Sequence, residues 1–128
     1  MIVVDVNVVV HLLTEGPRRA QAVRLWETDP DWRLPPLWRH ELLNVLATLV
    51  REDYLAEADA IALWERAIGL FADREALPDM LAVLRMAVRL GISAYDAQYA
   101  VLAETLGTRL VTEDRRLRAA LPERAMSL

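Results

Sequence analysis

Apolar and polar positions follow two different periods along this chain. Ile2-Val3-Val4 is short, β-branched and uninterrupted, the pattern of a strand buried on both faces. Asp5 ends that run, and Val6 to Leu13 reads as a short helix. Gly16-Pro17 breaks the chain, and Pro17 suits the first turn of a second helix that runs to about Glu27. Asp29-Pro30-Asp31 is a turn, and Trp32 to Leu34 is a second short strand stopped by Pro35-Pro36. Residues 37–50 form an amphipathic helix with Leu42, Val45, Leu46, Leu49 and Val50 on one face. Residues 56–71 form another, with Ile61, Trp64, Ile68 and Phe71 expected inward. Ala76-Leu77 is expected as a minimal third strand. Met80, Leu84, Ala87 and Val88 mark the next helix, which Gly91 ends. Ser93 starts a helix to Leu106, closed by Gly107. Arg109 to Thr112 is a fourth strand, Arg115 to Leu121 a short helix, and Ala125 to Ser127 a last strand.

Strands that alternate with helices predict an α/β fold on a parallel sheet of about four or five short strands. The helical hairpin at 37–71 is a local departure. No repeat, linker or low-complexity segment interrupts the chain, so residues 1–128 are expected to form one domain.

Composition narrows the function more than the fold. Hydrophobic residues make up 55% and charged residues 27%, a soluble globular balance. No apolar run approaches the roughly 18–20 residues that span a bilayer, and the start lacks the basic region of a signal peptide. With no cysteine, disulfides, thiolate zinc sites and cysteine nucleophiles are excluded, and a cytoplasmic location is the expectation. The net charge of −4 argues against holding nucleic acid by bulk electrostatics. It leaves room for an enzyme whose acids are covered by cations at work. Every basic residue other than histidine is arginine, which excludes mechanisms that need a lysine.

Four acids stand at informative places. Asp5 sits where the first strand meets the first helix, either as an N-cap or at the strand end where open α/β sheets bind ligands. Asn7 is a polar first-turn residue or a second oxygen donor. Glu41 borders the buried face of its helix and needs a partner there, an arginine such as Arg39 or Arg51, unless it is simply exposed on the first turn. Ser93 and Asp96 have capping-box spacing, yet Asp96 shares a face with Tyr99, Ala100 and Ala103. Asp114 follows the fourth strand as Asp5 follows the first, again as a cap or a ligand; Glu113 beside it is expected to be solvated. Caps explain three of the four separately but do not predict that they converge. In a parallel sheet the strand C-termini share one edge, and the helices carrying Glu41 and Asp96 start near it. Clustered carboxylates repel and raise one another's pKa. A divalent cation relieves that, and all-oxygen donors favour Mg²⁺ or Mn²⁺. This outlines a phosphoryl-transfer site.

The stretches "IVVDVNVVVHLL", "PPLWRHELLNVL" and "GISAYDAQYAVLAETLGTRLVTEDRRL" resemble the PIN-domain family, and most closely its VapC-type toxins of toxin–antitoxin pairs. The resemblance covers nearly the whole chain and is most specific in the last stretch. It implies a three-layer α/β/α sandwich and Mg²⁺- or Mn²⁺-dependent cleavage of RNA. It also implies a homodimer and a cognate antitoxin that blocks the site, with no membrane involved. Asp5, Glu41 and Asp96 look like the family's core acids, and Asp114 matches a fourth whose role varies. Asn7 stands where the family usually has Ser or Thr. Thr112 matches a small polar position near the metals. Arg115 and Arg116 are candidates for flanking phosphates through forked hydrogen bonds, or they form a solvated helix face.

Other residues read more plainly. His11 and His40 lack ligand spacing and are expected to be structural. Trp26, Trp32, Trp38 and Trp64 are expected as core or interface anchors. Apolar residues on more than one helix face, as at Leu42, Leu43 and Leu46, point to surface buried beyond a monomer's core. Two competing functions remain at this level. A haloacid-dehalogenase-like phosphatase is suggested by Asp5-Val6-Asn7-Val8, but its second acid is Asn7 here and its lysine is missing. A receiver domain fails for the same reasons, and there is no glycine-rich phosphate loop. A catalytically silent PIN-like scaffold that binds RNA or protein is the non-enzymatic alternative.

Overall fold

The computed structural model describes residues 1–128. Its elements are β1 (Ile2–Val4), α1 (Val6–Leu13), α2 (Arg19–Thr28), β2 (Trp32–Arg33), α3 (Trp38–Arg51) and α4 (Glu57–Phe71). They continue with a 3-10 turn (Ala72–Arg74), α5 (Met80–Leu90), α6 (Ala94–Thr105), β3 (Leu110–Val111), α7 (Arg115–Ala120) and β4 (Ala125–Met126). The four strands form one sheet in the order β2-β1-β3-β4, and every pairing is parallel. β1 therefore has a neighbour on each side, which is why its sequence is continuously apolar.

Strand alternation sorts the core into two layers. Val4 and Val111 face α1, α3 and α4 and join a cluster that includes Trp32, Trp38, Leu42, Leu46 and Phe71. Val3 and Leu110 face the other way, onto Tyr99, Leu102 and Leu117 of α6 and α7. Helices thus cover both sides of the sheet, as the three-layer expectation required. The tryptophans anchor the first layer: Trp26 meets Trp32 edge-on at 5.1 Å between centroids, and Trp32 stacks on Phe71 at 5.9 Å. Trp38 is fully buried and packs edge-on to Phe71, so it belongs to the core.

Several sequence expectations change. The strand expected at Ala76-Leu77 is only a single parallel bridge between Leu34 and Glu75. Pro78 follows so closely that no ladder extends. α4 buries Ala60, Ala67 and Phe71 and leaves Ile61 exposed. α5 buries Val83 and Met86, whereas Met80, Leu84 and Val88 are exposed. Gly91 ends α5 at φ 65°, a left-handed position that suits glycine. No helix is long and apolar enough to cross a membrane.

Candidate metal centre

β1 and β3 lie side by side, so their C-terminal ends deliver Asp5 and Thr112 to adjacent places on one sheet edge. Asp5 stands at the N-cap position of α1, but its side chain makes no capping hydrogen bond. Instead the Thr112 hydroxyl donates to Asp5 Oδ2 at 2.7 Å, and both residues are buried. The same hydroxyl oxygen accepts the Asp114 N–H at 3.1 Å. Thr112 therefore orients an acid on each side of it.

Glu41 lies in the first turn of α3. Its partner is not one of the arginines expected from sequence. Arg39 is turned onto Glu75, and Arg51 donates to Thr48. The Tyr99 hydroxyl donates to Glu41 Oε1 at 2.6 Å instead. Asp96 lies in the first turn of α6, where its N–H donates to the Ser93 hydroxyl at 3.0 Å. This is one half of the expected capping box. Asp114 is a true cap of α7, accepting the Leu117 N–H at 2.8 Å on Oδ1.

Electrostatics couple the acids to one another. Burial raises the Asp5 carboxyl, Thr112 opposes that, and the charge of Asp96 raises it further. Burial also raises Glu41, with Tyr99 opposing and Asp5 and Asp96 adding, to about 7. Asp96 is raised by burial and then by Asp114, while Ser93 and Arg116 lower it. The four acids thus act on one another in a connected chain of repulsions. Only Arg116 brings positive charge to bear on any of the three raised ones. Asn7 and Arg115 are exposed near the same sheet edge, in the first turns of α1 and α7.

Such a set fits a hard divalent cation in chemistry: oxygen donors only, repelling one another and largely uncompensated. As the side chains stand, no three acids are grouped closely enough to hold an ion by direct bonds alone.

Residues 2–120 match the PIN domain family. The chain belongs to the PIN-domain family. Among the relatives of this PIN domain is the Ribonuclease VapC3 of Pyrobaculum aerophilum, 32% identical over 127 residues, covering 94% of this chain and 95% of that one. The Ribonuclease VapC9 of Mycobacterium tuberculosis is 35% identical over 130 residues, covering 91% and 88% respectively. Among solved structures, PAE2754 from Pyrobaculum aerophilum superposes with a TM-score of 0.79 at 27% identity, over 98% of this chain and 89% of that one.

Sequence reasoning missed three features of this PIN domain. Tyr99 appeared only as a neighbour on the face of Asp96. Glu75 accepts from Trp38 Nε1 at 2.8 Å as well as from Arg39, tying down the start of α3. Glu113 is not solvated: it pairs with Arg18 at 2.7 Å and accepts the Leu128 N–H. Glu75 and Glu113 find partners 36 and 95 residues away, which no local pattern encodes. Of the histidines, His40 is exposed, and burial lowers His11.

Proposed function

We propose that this PIN domain is a divalent-metal-dependent endoribonuclease and the toxin of a toxin–antitoxin pair. The observation that carries this reading is the electrostatic coupling of Asp5, Glu41 and Asp96 from three distant elements, each raised by burial and by another acid's charge. The ribonuclease names of two relatives aligned over most of the chain support it.

In this reading Asp5, Glu41 and Asp96 hold a Mg²⁺ or Mn²⁺ ion, directly or through water, and Asp114 assists through its second oxygen. Bound there, the ion lowers the pKa of water and offsets charge on the phosphate. Thr112 fixes the rotamer of Asp5, so that carboxylate spends no entropy on being oriented. Asn7 offers both a donor and an acceptor at the rim. Arg115 and Arg116 grip phosphates flanking the scissile one. A net charge of −4 suits an enzyme that binds RNA through its metal and a few arginines more than through a broad basic surface. As a toxin of this kind it works in the cytoplasm as a homodimer and is silenced by a cognate antitoxin protein.

The test is cleavage of a labelled RNA in Mg²⁺ or Mn²⁺ and in chelator. Asp5→Asn and Asp96→Asn are expected to abolish cleavage while the circular dichroism spectrum stays native. Retained cleavage in either variant, with contaminating nuclease excluded, defeats the assignment. The scaffold alternative has its own check, because an ion that binds only the folded form raises the melting temperature. No shift at millimolar Mn²⁺ favours the scaffold.

A further inference from the structure

Tyr99 is the one large polar side chain buried at this edge that the proposed chemistry leaves without a role. It is 1% exposed, among Val3, Leu102, Leu110 and Leu117. A phenylalanine would satisfy that apolar setting without bringing a hydroxyl that needs a partner. The hydroxyl is spent on Glu41 Oε1 at 2.6 Å, within the range of a charge-assisted O–H···O⁻ bond. Tyr99 follows Asp96 by three residues on α6, so both project from one helix face. One side chain therefore rides on the element carrying Asp96 and bonds to the element carrying Glu41.

Glu41 needs such a hold. Its long side chain is repelled by Asp5 and Asp96, and its surroundings supply no arginine. Left free, it would swing toward solvent. We propose that Tyr99 is a positioning residue of the metal centre: its hydroxyl pins Glu41 Oε1 and leaves the second oxygen to face the ion. This rests on the metal-site reading above and adds a residue to it.

The experiment measures the Mn²⁺ concentration at half-maximal thermal shift for the wild-type chain, Tyr99→Phe, Glu41→Gln and the double variant, with RNA cleavage as a second readout. Loss of a group that orients a metal ligand typically weakens metal binding about 10- to 100-fold. Tyr99→Phe is expected to raise the Mn²⁺ midpoint at least tenfold while its metal-free circular dichroism stays native. In the Glu41→Gln background the same change is expected to move the midpoint less than twofold, since Tyr99 acts through Glu41. A wild-type midpoint in Tyr99→Phe overturns the inference. So does an equal loss in both backgrounds, which would mark a general packing effect. A wild-type chain that shows no Mn²⁺ shift sinks the metal-site reading, and the inference with it. Tyr99→Leu serves as a second probe: it too must weaken Mn²⁺ binding only where Glu41 is present.

Discussion

Glu41 holds its proton up to about pH 7, because burial and two neighbouring acids disfavour its charge more than the Tyr99 hydroxyl favours it. The consequence for stability has a definite sign. In the unfolded chain this carboxyl titrates near 4.5, so the folded state binds the proton more tightly. Ionised Glu41 therefore costs stability at neutral pH, and the cost fades as pH falls from about 7 toward 4.5. Asp5 and Asp96, also raised, act in the same direction. Metal-free protein is expected to melt at a higher temperature at pH 5.5 than at pH 8, by calorimetry in chelator. Glu41→Gln is expected to flatten that slope, and saturating Mn²⁺ to reverse it, because the ion favours the ionised acids. Asp114 separates two roles within one residue. Asp114→Ala removes the cap on Leu117 and is expected to cost about 1 kcal/mol in denaturant unfolding. Asp114→Asn keeps the capping oxygen and is expected to stay within a few tenths of wild type. A fall in cleavage with Asp114→Asn at unchanged stability then reports the carboxylate's part in the chemistry.

At the level of elements, the sequence announced the seven α-helices and the four paired strands, most of them bounded by a proline, a glycine or an acid at a helix start. What it could not announce is which face each helix buries. α5 carries two apolar stripes, one through Met80, Leu84 and Val88 and another through Val83 and Met86. Periodicity alone weighs them equally. Packing against Ala97, Ala100 and Val101 of α6 selects the second, because small residues there admit a close approach. On α4 the helical positions buried besides Phe71 are likewise small, Ala60 and Ala67, while Ile61 is exposed. The acids were legible for a similar reason: Asp5, Asp96 and Asp114 stand at element boundaries, and the boundaries are what sequence shows best. Their partners were not, since Thr112 lies 107 residues from Asp5 and Tyr99 58 residues from Glu41. The outward stripe on α5 leads to a further prediction. Leu84→Glu with Val88→Glu is expected to leave the melting temperature nearly unchanged, since both side chains are exposed.

For the molecule as a whole, the sheet order decides how the centre is assembled. β1 is made first and lies between β2 and β3, and β3 supplies Thr112, the residue that orients Asp5. The proposed centre draws on residues from position 5 to position 114, and no contiguous fragment short of that span holds all of them. Cleaving the polypeptide between α5 and α6, with both pieces present, is expected to abolish RNA cleavage unless the pieces reassemble, which gel filtration would reveal. The order of synthesis gives this arrangement its value. A chain still threading through the ribosome has exposed Asp5 and Glu41 long before the strand that completes their surroundings has left the exit tunnel. The proposed centre therefore stays incomplete until β3 has emerged and paired alongside β1, because only then does Thr112 reach Asp5.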